Sequence, residues 1–210
     1  MTSEKVIGRL SLYRRLLKSQ QALGQSHIYS HDLASLAGNT AAQVRRDLMG
    51  IGFSGSPARG YDIGSLIEAI CRFLDPPVPQ PIVLVGLGNL GRALLAYFPR
   101  RRPHLTIVGA FDVDPAKVGR VVMGCRCYAW EDMERIVSET GVEVAVLAVP
   151  ASEAPAAAIR LVRAGVRGLL NFAPAPLPVP EHVHVENIDL TMSLEKVAFF
   201  ARRGSAAVAG

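Results

Sequence analysis

Val83-Leu84-Val85-Gly86-Leu87-Gly88-Asn89-Leu90-Gly91-Arg92-Ala93-Leu94-Leu95 is the stretch that decides the fold. An apolar run ends in G-x-G-x-x-G and passes straight into a helical pattern. At this spacing Gly86 lets the strand turn sharply, Gly88 removes a side chain so that a pyrophosphate can approach the backbone, and Gly91 lets the helix pack close to the sheet. N–H groups at the helix start then face the phosphates, so Leu87, Asn89 and Leu90 join the glycines as candidate contacts. A second apolar strand, Leu105-Thr106-Ile107-Val108-Gly109-Ala110-Phe111, ends at Asp112. That acid lies about 20 residues beyond the last glycine, where a carboxylate accepts hydrogen bonds from an adenosine ribose. A carboxylate there repels a 2′-phosphate, so the reading is NAD(H) over NADP(H). The glycines alone would fit a turn in another α/β protein; strand, helix and acid together are more specific.

The surroundings decide what such a unit is for. The chain has 210 residues, enough for two small domains. About 75 residues precede the glycine-bearing unit. Between the two lies Asp75-Pro76-Pro77-Val78-Pro79-Gln80-Pro81, whose prolines predict a short, stiff, extended connection. The start, Met1-Thr2-Ser3-Glu4-Lys5, has no apolar core behind it, so no secretory leader is expected. No run of about 18 apolar residues is present to span a membrane. Three cysteines, Cys71, Cys125 and Cys127, make no disulfide framework, and their odd number fits a reducing cytoplasm. Cys125-Arg126-Cys127 lacks zinc-knuckle spacing and a second pair, so no metal site is expected.

The net charge of +5 permits a polyanionic partner without requiring one. Residues 1–75 carry nine Lys/Arg against six Asp/Glu, and Arg100-Arg101-Arg102 adds a basic cluster elsewhere. Pattern says more than charge. Residues 7–23 read as a helix, with apolar residues at three-to-four spacing. Ser30 is suited to cap a second helix over 31–37, which Gly38 ends. Asn39 or Thr40 caps a third over 41–48. Two short helices joined by a Gly-containing turn predict a helix-turn-helix, whose second helix enters the major groove. Gln43, Arg45 and Arg46 sit on it; Gln pairs with adenine and Arg with guanine, and either also takes phosphate. The turn-rich stretch from Gly50 to Tyr61 suits a β-hairpin wing carrying Arg59, after which Asp62 caps a helix over 63–74. A plain helical domain with a solvated arginine face is the other reading of this region.

These residues together resemble the Rex family of redox-sensing transcriptional repressors, nearly from end to end. The resemblance rests on Arg9-Leu10-Ser11-Leu12-Tyr13-Arg14-Arg15, on Gln43-Val44-Arg45-Arg46-Asp47-Leu48, on the glycine loop, and on Phe111-Asp112-Val113-Asp114-Pro115-Ala116-Lys117-Val118-Gly119. It continues in Ala148-Val149-Pro150, Ala164-Gly165-Val166-Arg167-Gly168, Asn171-Phe172-Ala173-Pro174 and Val185-Glu186-Asn187-Ile188-Asp189-Leu190. One departure stands out. Family members carry Ser-Tyr-Phe-Gly after the Asp-Leu, where this chain has Met49-Gly50-Ile51-Gly52, and its wing arginine is displaced by two positions. A paralogue with changed or lost operator binding therefore stays open beside the repressor.

The resemblance implies an α/β chain in five parts. These are a winged helix-turn-helix DNA-binding domain at 1–75, a linker at 76–81, a Rossmann NAD(H)-binding domain at 82–189, a domain-swapped C-terminal helix at 190–203, and a disordered tail at 204–210. Residues 190–202 read independently as an apolar amphipathic helix, poor in solvent unless a partner covers it. In a swapped homodimer it crosses to the partner subunit. Val113, Val149 and Pro150 are implied at the cofactor, and Phe172, Ala173 and Pro174 at the nicotinamide, where an apolar pocket favours the neutral reduced ring. The resemblance also implies release of palindromic operator DNA on NADH binding. Arg15, Tyr97 and Asp189 match positions that report this switch.

The rival is an NAD-dependent oxidoreductase. It needs a proton-transfer group near the nicotinamide and a substrate domain. His27, His31, His104, His182 and His184 are poorly placed in sequence for the first, and no segment is evident for the second. A CoA-binding module shares the glycine-rich fold; Asp112 and the helix-turn-helix argue against it.

Overall fold

A computed structural model describes residues 3–98 and 104–208, with side chains of the last helix through Arg202. The Arg100-Arg101-Arg102 cluster lies outside the described residues. The chain divides into two units, Met1–Pro77 and Val78–Gly210.

The first unit is built on four helices: α1 (Glu4–Ala22), α2 (Ser30–Ala37), α3 (Ala41–Gly50) and α4 (Ile63–Leu74). Leu10, Tyr13 and Leu17 recur at three-to-four spacing on α1, so one stripe is buried against Leu33, Val44, Leu48, Leu66 and Ile70. Gly38 ends α2 in the left-handed conformation, and the Thr40 side chain accepts from the Gln43 N–H at 3.2 Å to start α3. Asp62 caps α4 by accepting from the Ser65 N–H at 2.7 Å. Ser30 does not cap α2. Tyr29 holds that position and Ser30 is the first helical residue, its hydroxyl taken by Arg45 at 3.0 Å. The predicted hairpin wing is reduced to a turn closed by paired Ser56 and Gly60, with Arg59 at its exposed tip. Behind it β1 (His27–Ile28) pairs antiparallel with β2 (Tyr61–Asp62). The Tyr29 hydroxyl donates to the Ala58 carbonyl at 2.8 Å and pins the tip.

Among the described residues, the second unit is built on a seven-stranded sheet. Its strands are β3 (Gln80–Val85), β4 (Leu105–Asp112), β5 (Val121–Val122), β6 (Cys125–Ala129), β7 (Val144–Leu147), β8 (Gly168–Asn171) and β9 (His184–Asn187). The order is β5-β6-β4-β3-β7-β8-β9, parallel throughout except for β5. From β6 to β9 this is the doubly wound arrangement, with the strand order reversing at β3. Its strands are near-continuous apolar runs because helices cover both faces. α6 (Met133–Thr140) and α7 (Ala154–Arg163) belong to a core with Val83, Phe111, Ala145 and Leu147. α5 (Asn89–Tyr97) belongs to the other, with Leu84, Ala110, Cys127 and Val146. Cys125 and Cys127 are buried as packing residues, and burial pushes the Cys125 thiol up to about 11. β3 begins at Gln80, inside the stretch read as linker at 76–81, because its first residues pair with Leu105 and Thr106.

The last helix, α8 (Leu190–Val208), runs beyond the boundary expected at 203 into the stretch read as a tail. A single glycine inside a helix costs only about 1 kcal/mol, and Ala206 and Ala207 follow Gly204. Leu190, Leu194, Val197 and Phe200 of α8 are each more than 60% exposed.

Candidate nucleotide cleft and candidate DNA-facing helix

The carboxyl ends of β3, β4 and β7 meet where the strand order reverses, and a cleft of about 580 Å³ opens there. Gly86, Gly88, Asp112, Val113, Val149 and Pro150 line it, as do Lys117, Trp130, Ala148 and Glu153. The three glycines meet three different constraints. Gly86 has φ +96°, and a Cβ there would run into the Ala148 carbonyl. A Cβ on Gly91 would overlap the Gly86 carbonyl oxygen, so the helix lies hard against the loop. At Gly88 a Cβ would meet nothing within 4 Å. Gly88 stands at the N-cap of α5 and faces the cleft, leaving backbone bare for a ligand. Leu87 is buried, and Leu87, Asn89, Leu90 and Gly91 are not among the cleft-lining residues.

Asp112 is where the sequence placed it and already engaged. Its Oδ2 accepts from the Leu87 N–H at 2.8 Å and from Lys117 Nζ at 3.1 Å, and its Oδ1 accepts from the Asp114 N–H at 2.9 Å. Burial works to raise its pKa, but the two backbone N–H groups and the Lys117 ammonium outweigh it and hold the carboxyl below the usual range. Asp112 thus ties the second strand to the glycine loop. Three of the roughly four acceptor positions of its carboxylate are used inside the protein, which leaves about one for a ligand.

One wall of the cleft is Trp130, the single tryptophan of the chain. Arg160 fixes it, with the guanidinium 5.1 Å from the ring centroid and a hydrogen bond to the Trp130 carbonyl at 2.9 Å. Sequence reading missed Trp130, Lys117 and Glu153. Lys117 stood in plain view five residues past Asp112, but only the fold shows that it turns back toward it. Conversely, Phe172, Ala173 and Pro174 do not line this cleft. They follow β8, one strand beyond β7, at the same carboxyl edge. Their turn is set by the fully buried Asn171, which donates to Asn187 Oδ1 at 2.8 Å and accepts from the Ala173 N–H at 3.0 Å.

In the first unit, Arg45 and Arg46 are exposed on α3. Gln43 is not a free reader: its side chain donates to Asp47 Oδ1 at 2.7 Å. The buried Asp47 carboxylate also accepts from Arg9 at 2.6 and 2.7 Å and from the Tyr13 hydroxyl at 3.1 Å. That network bolts α3 to α1. Of the three polar residues singled out beyond these sites, Arg15 is exposed on α1 and Tyr97 is 51% exposed at the end of α5. Asp189 caps α8, accepting from the Met192 N–H at 2.7 Å.

Residues 79–175 match a family described as a CoA binding domain, and residues 2–48 one described as "Putative DNA-binding protein N-terminus". The chain is 41% identical over 192 residues to the redox-sensing transcriptional repressor Rex of Listeria innocua, spanning 91% of this chain and 89% of that one. It is 41% identical over 200 residues to the Carboxydothermus hydrogenoformans repressor of the same name, spanning 95% and 96%. Among solved structures it is similar to RSP in complex with beta-NADH, with a TM-score of 0.87 and 30% identity over 98% of this chain and 97% of that one. It is equally similar to RSP in complex with beta-NAD+ and operator DNA, with a TM-score of 0.88 and 29% identity over 98% and 95%.

Proposed function

The chain belongs to the Rex family of redox-sensing transcriptional repressors, and from that premise we propose how its own residues carry the function. It binds NAD(H) and operator DNA, and it represses transcription in response to the NADH/NAD+ ratio. The observation that carries this reading is the presence in one chain of the Gly86–Gly88 cleft and of α3 with Arg45 and Arg46 exposed. Such a protein works by binding, with no turnover, wherever the DNA is; the cytoplasm is the expected place.

The open space at Gly88 fits a pyrophosphate against the bare backbone there and the first turn of α5, Asn89 and Leu90, since the Gly86 and Leu87 N–H groups are already donated to the Phe111 carbonyl and to Asp112. The adenosine lies toward Asp112 and Val113, with Trp130, Val149 and Pro150 as apolar walls. The nicotinamide reaches toward Phe172, Ala173 and Pro174. When bound, the cofactor supplies a ring that differs by one hydride and one charge between its redox forms. Equal affinity for both forms in two conformations would shift nothing. An apolar surround favours the neutral ring, so NADH selects the conformation that does not hold DNA.

The apolar, exposed side of α8 supports a homodimer in which this helix crosses to the partner. Two recognition helices related by a two-fold axis then read a palindrome, with spacing set by the dimer. Arg45, Arg46 and the wing-tip Arg59 face DNA. Gln43 reaches a base only by leaving Asp47. Arg15, Tyr97 and Asp189 bias the two dimer states. An anisotropy titration of a palindromic duplex, at stated salt, tests the whole reading. Tight binding without nucleotide or with NAD+, loosened by NADH, is expected. No preference for any palindrome over random duplex in either redox form would sink the repressor and leave a nucleotide-binding paralogue.

A further inference from the structure

Lys117 lines the cleft beside Asp112 and is tied on both sides. Its Nζ is 3.1 Å from Asp112 Oδ2 and 3.5 Å from Asp114 Oδ2. Asp114 does not line the cleft; it is 42% exposed, and its Oδ1 accepts from the Ala116 N–H at 2.9 Å, which holds the turn after β4. The three side chains carry one positive and two negative charges, a net of minus one. The end of the second strand is where the adenosine ribose lies in a doubly wound fold.

We propose that the Asp112–Lys117–Asp114 clamp, and not Asp112 alone, decides which adenosine ribose the cleft accepts, with Asp114 as the positioning residue that withholds the Lys117 ammonium from a 2′-phosphate. This deepens the NAD(H) reading and rests on it. A hydroxyl both donates and accepts, so a ribose diol matches the remaining lone pair of Asp112 and the remaining N–H of Lys117. A 2′-phosphate only accepts at neutral pH and meets a net negative cluster. The same lysine, released, is what a phosphate-binding site requires. Removing the Asp114 charge takes the cluster from a net of minus one to neutral and leaves Lys117 tied to Asp112 alone. Lys117 is held above its ordinary range by its bond to Asp112, against the opposing effect of burial, and Asp112, despite burial, is held below its own by the backbone N–H groups and Lys117, so both are charged when nucleotide arrives.

The test is calorimetric titration of the full chain with NADH and with NADPH. Asp114→Asn keeps the Oδ1 acceptor of the turn and removes the charge. It is expected to shift the NADPH-to-NADH affinity ratio toward NADPH by about tenfold or more, the scale of removing a unit charge a few ångströms from a phosphate. Adding Lys117→Gln to that variant is expected to abolish the gain, and Lys117→Gln alone to move the ratio the other way. An unchanged ratio in Asp114→Asn, with NADH still bound, overturns the proposal while the cofactor reading stands. A gain that persists without Lys117 also overturns it. If Asp114→Asn fails to fold, a ratio in Lys117→Gln that stays put or moves toward NADPH overturns it equally. If the wild-type chain binds neither nucleotide, the cofactor reading and this proposal fall together.

Discussion

The Gly86 carbonyl oxygen occupies the space that a Cβ on Gly91 would need. Loop and helix are therefore in backbone contact, and the two outer glycines are demanded by packing while Gly88 faces open space. Gly91→Ala is expected to destabilise the chain by about 1–3 kcal/mol, the usual scale of forced overpacking, and to lower the melting temperature. Gly88→Ala adds a methyl into open space. It is expected to leave the melting temperature nearly in place while weakening NADH binding in calorimetry. The opposite pattern would mean that the cleft is not the nucleotide site.

Asp47 joins Arg9, Tyr13 and Gln43 around one buried carboxylate. Asp47→Ala strands Arg9 and Tyr13, and a loss of about 3 kcal/mol in urea unfolding is expected. The pH dependence has a definite sign. Burial works to raise the Asp47 pKa, but the bonds from Arg9, Gln43 and Tyr13 outweigh it and hold it below 3.8. Its contribution is thus complete above the ordinary value of 3.8 and lost as pH falls below that toward the lowered one. The stability gap between wild type and Asp47→Asn should be widest near neutrality and narrow in that acid range. A gap that widens on acidification would contradict the ion pair. Tyr13, pushed up to about 12 by burial and then by its bond to Asp47, should remain protonated throughout.

On α3, arginines and glutamine should behave differently. Arg45→Ala or Arg46→Ala should cost about 1–3 kcal/mol if the residue reads a base bidentately. If it contacts phosphate alone, the loss should be uniform across sequences and the salt slope should fall by about one. Arg59→Ala, at the wing tip, should follow the phosphate pattern. Gln43→Ala should show mainly as lost thermal stability through Asp47. A base-specific loss at Gln43 with unchanged stability would return it to the DNA-reading set.

Asp189 is both a candidate switch residue and the N-cap of α8. Asp189→Ala removes the cap, worth about 1 kcal/mol, and mixes the two roles. Asp189→Asn keeps a capping acceptor and removes the charge. It is expected to alter the effect of NADH on operator affinity more than it alters NADH binding, as does Arg15→Ala. Equal changes in both quantities would remove Asp189 from the switch.

Deleting residues from Leu190 onward removes the exposed apolar side of α8. Monomers and weaker operator binding are expected by light scattering and anisotropy. A truncated chain that stays a well-behaved dimer would place the interface elsewhere.

Much of the fold was legible because its determinants are local. Gly38 in the left-handed conformation, Thr40 and Asp62 as caps, and Gly86 turning out of an apolar strand each act within a few residues. Ser30 shows the limit. Its side chain is a good cap, but β1 ends at Ile28 and sets the backbone so that Tyr29 takes the cap position. The wing likewise looked like a hairpin by composition, yet β2 pairs with β1 rather than with a wing strand.

By itself, the sequence determined the two units, the glycine loop, the doubly wound sheet and the exposed arginines of α3, since each follows from periodicity, backbone freedom or charge carried by neighbouring residues. Only the tertiary structure decided which polar groups were already spent. Asp112 finds Leu87 across 25 positions, Gln43 shares Asp47 with an arginine 38 positions from that acid, and Lys117 turns back onto the strand it has just left. Trp130 becomes a cleft wall because β6 pairs with β4. Hydrogen-bond capacity is settled by whichever partner arrives in space, and distance along the chain does not encode that.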